Sequence, residues 1–237
     1  MKLKEPLSKG KLIKRYKRFL ADVVLEDGTI LTVHCPNSGA MTGCAMPGCT
    51  AYFSDSMNPK RKLRYTLEVT QTADAAICVN THRANGLVEE ALVDGHIPAL
   101  AGFDELHREV RYGIENSRID LLLIFGETRC YVEVKNATLG VGEGVVAFPD
   151  AVTKRGQKHL RELMHMVEQG HRAVLIYCVA RTDAESVRAA QEIDPGYAQT
   201  LREAKRAGVE VYALKIAINL PEMKLLDSLP VLDETPD

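Results

Sequence analysis

The sequence predicts an α/β (α+β) protein in two parts: a small β-barrel over residues 1–80, then a mixed sheet covered by helices over residues 81–237. Three observations carry this. Short apolar runs separated by turn residues crowd the first part. Strand and helix periods alternate from about residue 108 onward. The positive charge gathers in the barrel: residues 1–64 hold 12 Lys/Arg against 5 Asp/Glu, and the remainder 18 against 27.

The barrel strands are expected at Ile13–Leu25, Ile30–Cys35, Thr50–Ser54, Leu63–Gln71 and Ala75–Val79, divided by Asp27-Gly28, the Gly/Met-rich stretch 39–48 and Ser56–Pro59. Five closely spaced strands fit an OB-fold, which often presents a basic face to nucleic acid. Leu87, Val88, Ala91 and Leu92 then recur at helical spacing, with Gly95 as a stop. Strands follow at Val110–Gly113, Arg118–Phe125 and Arg129–Lys135. Next come a helix from Thr153 to Gln169, a buried strand Arg172–Ala180, a helix Tyr197–Ala207 and a strand Val209–Ile216. Residues 140–150 and 181–196 read as loops.

Composition excludes several classes. Charged residues at 26% and apolar residues at 46% describe an ordinary globular protein. The N-terminus has charge but no apolar stretch after it, and the longest apolar run, Ala173–Ala180, is too short to span a bilayer, so a cytoplasmic protein with no membrane partner is expected. Its six cysteines would stay reduced there. Cys35 beside His34, with Cys44 and Cys49, lacks zinc-ligand spacing and reads as small buried or loop residues. There is no dinucleotide fingerprint and no P-loop, and Ser38-Gly39 lacks the strand–turn–helix context of a nucleophilic serine; no organic cofactor is expected.

The chemistry concentrates in Ser117–Ile124 and Tyr131–Lys135. Alternate strand residues share a face, so Glu133 and Lys135 point one way while Val132 and Val134 point into apolar surroundings. A hairpin pairing Asp120 with Glu133 pairs Ile124 with Arg129 and leaves Phe125–Thr128 as the loop. Charges on strands this apolar need compensation. Two carboxylates on a hard divalent cation, Mg²⁺ or Mn²⁺, with a lysine beside them to offset phosphate charge, provide it; a buried ion pair is the structural alternative. On the following helix Gln157 shares a stripe with Leu160, Met164 and Val167 and is expected to face the site, while His159 reads equally as packing, solvent or catalytic. Lys154, Arg155, Lys158 and Arg161 on that helix, with Lys14, Arg15, Lys17, Arg18, Lys60, Arg61, Lys62 and Arg64 of the barrel, are the expected DNA contacts.

The strand–strand–helix unit resembles the PD-(D/E)xK nuclease superfamily, with Ile119 standing where the motif's proline is usual. The whole chain resembles the sugar fermentation stimulation protein A family, through Ile13–Asp22, His34–Gly43, Cys78–Asn85, Glu109–Asp120, Tyr131–Lys135 and Phe148–Leu163. The resemblance implies an OB-fold joined to a restriction-endonuclease-like domain, sequence-independent binding of single- or double-stranded DNA, and a regulatory part in maltose metabolism. It also implies a glutamate from the preceding helix in the metal site beside Asp120 and Glu133, with Glu90 fitting best and Glu89 and Glu109 as rivals. Two readings follow: a DNA-binding metal-dependent phosphodiesterase, or a catalytically silent DNA-binding module. The residues leave assembly open, a homodimer included.

Overall fold

The computed structural model describes residues 1–3 and 6–233; residues 234–237 of the expected second domain lie outside the described residues. Strands β1 (Leu7–Tyr16), β2 (Leu20–Val24), β3 (Ile30–His34), β4 (Thr50–Asp55) and β5 (Tyr65–Gln71) run in the order β3-β2-β1-β4-β5, and a β3–β5 pairing at His34 and Thr66 closes them into a five-stranded barrel. Its interior is filled by Leu12, Val23, Val33, Ala51, Phe53 and Leu67. A sixth strand, β6 (Ala76–Cys78), pairs with β5 and leads out.

The strand expected over Ile13–Leu25 is in fact a hairpin. Lys17 and Arg18 take left-handed backbone angles, φ +47° and +63°, and turn the chain between β1 and β2. Neither residue type announces such a turn, because glycine or asparagine ordinarily fills it.

The second part is a six-stranded mixed sheet in the order β15-β14-β12-β9-β8-β7, built from β7 (Glu105–Tyr112), β8 (Ser117–Phe125), β9 (Thr128–Ala137), β12 (Arg172–Val179), β14 (Glu210–Asn219) and β15 (Glu222–Ser228). Helix α1 (Ala84–Val93) covers one face, packing Leu87, Val88, Ala91 and Leu92 on Val132, Val134, Val174 and Ile176. Helices α2 (Lys154–Glu168) and α3 (Pro195–Arg206) cover the other, packing Leu160, Leu163, Tyr197 and Leu201 on Tyr131, Leu175 and Tyr177. Parallel pairing of β9 with β12 and of β12 with β14 follows from the two helical crossovers between them.

The expected loops hold further strands: β10 (Leu139–Gly142), β11 (Val145–Phe148) and β13 (Ser186–Ala189) form a small sheet with β16 (Val231–Leu232). At four residues or fewer, such strands are too short to show a period. The first residues do not join the barrel. Lys2 bridges Glu222, and Leu3 donates its N–H to the Pro221 carbonyl and is buried in the sheet's core under α1. No helix of the described residues is long and apolar enough to cross a membrane.

Candidate metal and nucleic-acid site

The β8–β9 hairpin pairs Ile124 with Arg129 and Leu121 with Val132, and Gly126-Glu127 makes its tight turn, Gly126 at φ +58°. Asp120 and Glu133 each stand one position beyond the last pair of this ladder. Leu121, Leu123, Val132 and Val134 hold the pair down under α1, while Leu122 and Tyr131 anchor it under α2. Glu133 and Lys135 alternate with the valines and emerge toward α2.

Asp120 sits where the two strands part. Its Oδ2 accepts the Val134 N–H at 2.8 Å and its Oδ1 accepts from Asn85 Nδ2 of α1 at 2.8 Å. Burial and the nearby Glu133 charge raise its carboxyl to about 6, against the pull of Val134, Lys135 and Asn85.

Glu133 is 2% exposed. Its Oε1 accepts from Lys135 Nζ at 2.6 Å and contacts His159 Nδ1. Burial opposes ionisation of Glu133, but Lys135 and His159 together hold its carboxyl below the usual range. Arg155 Nε donates to His159 Nε2 at 3.2 Å, so the ring's proton belongs on Nδ1, where it donates to Glu133. The 3.3 Å approach of Lys135 Nζ to that Nδ1 is then proximity, because a protonated nitrogen accepts nothing.

The second oxygen, Glu133 Oε2, is buried and has no hydrogen-bond partner. The Tyr112 hydroxyl is likewise buried and unpartnered, its ionisation pushed up by burial and then by Glu133, Glu162 and Asp120. An orphaned buried carboxylate oxygen costs at least about 1–3 kcal/mol. A hard cation drawn between Asp120 and Glu133 would remove that cost, so the residues present fit a divalent ion. Among the described residues no group of three or more His, Cys, Asp or Glu gathers around one point.

Other expected site residues lie elsewhere. Glu90 is half exposed and salt-bridged to the Met1 ammonium, so it does not reach the acids; the residue of α1 that does is Asn85. Glu89 pairs with Arg108, and Glu109 sits in β7 with an exposed side chain at φ +54°. Gln157 donates to Asp194 Oδ1, at the cap of α3, at 3.0 Å and does not face the carboxylates. The helix is rotated from the expected stripe: Gly156, His159, Leu160, Glu162, Leu163 and Met166 form its buried face. His159 therefore occupies the place foreseen for Gln157. The Cys35, Cys44 and Cys49 thiols are buried and free.

The basic residues divide by engagement. Arg15 is committed to the fold, its Nη2 donating to the carbonyls of Arg18, Asn37 and Gly39 and so stapling the 37–40 loop. Arg155 serves His159, and Lys158 and Arg161 hold Glu115. Arg64 pairs with Asp55, and Lys14 lies over Tyr16 near Asp22. Arg18 donates to the Ser38 carbonyl at 3.1 Å and Arg61 to Thr66 Oγ1 at 3.3 Å, both with exposed side chains, and Lys17, Lys60, Lys62 and Lys154 are exposed.

The two parts match two family models in turn: the SfsA N-terminal OB domain over residues 13–79, and the sugar fermentation stimulation protein RE domain over residues 82–222. The chain belongs to the sugar fermentation stimulation protein family. A sugar fermentation stimulation protein homolog from Teredinibacter turnerae is 54% identical over 98% of this chain and 100% of its own length. One from Pseudomonas aeruginosa is 52% identical over 98% of this chain and 99% of its own. Pyrococcus furiosus SfsA, solved in complex with Ca²⁺, superposes with a TM-score of 0.87 at 29% identity, covering 98% of this chain and 99% of that one.

Proposed function

We propose that this chain binds DNA through the cations of its barrel and helix α2, and hydrolyses phosphodiester bonds at Asp120, Glu133 and Lys135 with bound Mg²⁺ or Mn²⁺. The observation that carries the reading is the buried, unpartnered Glu133 Oε2 beside an Asp120 carboxyl raised to about 6. Both features describe a site short of one positive charge. A family member crystallised with Ca²⁺ supports a divalent ion here. Bound there, the cation would supply Lewis acidity toward a phosphate. Lys135, 11% exposed, would place its ammonium against the phosphate or the attacking water. Asn85 and the Val134 N–H would hold Asp120 in position, and His159 would hold Glu133. Incubation of pure protein with single- and double-stranded DNA and Mn²⁺ tests the proposal: cleavage is expected, and absence of cleavage, or cleavage surviving Lys135→Ala, sinks it.

A second reading is favoured by one observation: Glu133 Oε1, Lys135 and His159 already form a closed network, and among the described residues no third acid joins. On that reading the core only holds DNA, and any regulatory part in maltose metabolism acts through binding. Affinity would fall steeply with salt and vary little with sequence, because the contacts are to phosphates. Sedimentation of the free and DNA-bound protein tests whether a homodimer carries two such sites.

A further inference from the structure

The barrel carries an aromatic feature beside its cations. At the β1–β2 turn Phe19 is 45% exposed, and its ring stacks on His34 of β3 with centroids 6.4 Å apart and planes 22° apart. Partial burial, with Arg61 and His82 nearby, holds the His34 imidazole below its ordinary range, so a neutral ring backs the phenyl group near pH 7. Sequence neighbours of this platform run into one cleft. Arg18, next to Phe19, and Thr81, next to His82, line a cavity of about 360 Å³ between barrel and core. Asn37, Ser38, Asn136 and Asp150 line it too. Asn136 and Thr138 wall the cleft from the end of β9, alternating with Lys135, which faces away from it.

We infer that this surface is a track for single-stranded nucleic acid, in which unpaired bases stack on Phe19 and His34 and one nucleotide enters the cleft that Asn136 and Thr138 of β9 wall. The direction of the track rests on the hydrolytic reading above; its preference for a single strand does not. Three observations favour an unpaired strand over a duplex. An exposed ring needs a free base face, and a duplex has already stacked its bases on each other. A cavity of this volume accepts a ligand about the size of one nucleotide. Its walls mix apolar residues such as Leu139 and Phe148, which suit a base face, with amides, hydroxyls and one carboxylate, Asp150, which suit base edges, while Arg18 suits a phosphate. A carboxylate acceptor also favours bases with an exocyclic amino group over thymine.

The test is fluorescence anisotropy without divalent cation, so that no hydrolysis intervenes, with fluorescein-labelled probes of about 12 nucleotides, one a mixed-sequence single strand and one a blunt duplex. The single strand is expected to bind about tenfold more tightly. Phe19→Ala and Ser38→Trp, both at exposed positions, should each weaken single-strand binding about tenfold while leaving duplex affinity within about twofold. The chain has no tryptophan, so Phe19→Trp provides a single reporter whose emission the single strand should quench and the duplex should not. Duplex binding as tight as single-strand binding overturns the inference, as does an unchanged single-strand affinity in a folded Phe19→Ala. A single-strand preference without Mn²⁺-dependent cleavage sinks only the hydrolytic reading; cleavage of duplex without that preference sinks only the track.

Discussion

The Asp120 carboxylate accepts the backbone N–H of Val134 at 2.8 Å, so the β8–β9 ladder ends on a side chain and not on another main-chain pair. The acid that would hold a cation is thereby part of the sheet. Its position is set by the same apolar anchors that fix the strands, and its protonation is coupled to the stability of the sheet.

That coupling has a sign. Asp120's folded carboxyl is raised from 3.8 to about 6, so the native state prefers the protonated form. The associated stability is fully present below pH 3.8 and is lost as pH rises through about 6. In metal-free protein the stability difference, wild type minus Asp120→Asn, should fall by of order 2–3 kcal/mol between pH 4 and pH 7. Urea titrations across that range check it, and a flat difference counts against the assignment. In wild type, Mn²⁺ must displace the proton, so its affinity should weaken about tenfold per unit below pH 6 in calorimetric titration.

His159 is 6% exposed and donates to Glu133 while accepting from Arg155. His159→Ala leaves a buried carboxylate oxygen without that donor. The variant should lose about 1–3 kcal/mol of stability. Any Mn²⁺-dependent cleavage should fall about 10–100-fold, the usual effect of removing a residue that orients a metal ligand. Thermal melts and initial rates read the two effects separately, and a variant equal to wild type in both would remove His159 from the site.

Gly113 lies in the β7–β8 turn at φ +70°, and a Cβ there would overlap the Glu162 carboxylate. Glu162, 1% exposed, takes the N–H groups of Ile114 and Glu115. Gly113→Ala combines a left-handed backbone penalty with displacement of this buried acid, and should cost more than about 2 kcal/mol in chemical denaturation. A loss under half that would show that the turn relaxes freely.

Glu68 of β5 is fully buried and accepts from Ser54, Asn80 and both Nε and Nη2 of Arg83. Arg83→Ala removes the countercharge and should destabilise by about 3–5 kcal/mol, whereas Glu68→Gln with Arg83 intact should cost less, since Arg83 is partly exposed and can find water. Differential scanning calorimetry of both variants distinguishes a charge pair from simple packing.

The hairpin register was legible because its anchors alternate with period two on both strands. From Leu121, Leu123, Val132 and Val134 the juxtaposition of Asp120 with Glu133 follows. The phase of α2 was not legible, because two of its buried residues, His159 and Glu162, are polar. Hydrophobic periodicity sees neither, since their partners, Glu133 and the backbone of residues 114–115, are remote in sequence. Arg15 looked like a phosphate contact for the converse reason: the carbonyls that engage it belong to a loop whose shape no local pattern encodes. Asn85, the side chain of α1 that touches Asp120, is an ordinary polar residue on an amphipathic helix, and only tertiary contact gives it a role.

Met1–Leu3 seam onto Pro221–Met223, through contacts as much as 222 positions apart. Their seam can close only once these segments, remote in sequence, have been brought together. The barrel has all its strands by residue 71 and can assemble early. The far edge of the sheet is thus fastened by residues outside the barrel, and the barrel's own strand pairing does not depend on them.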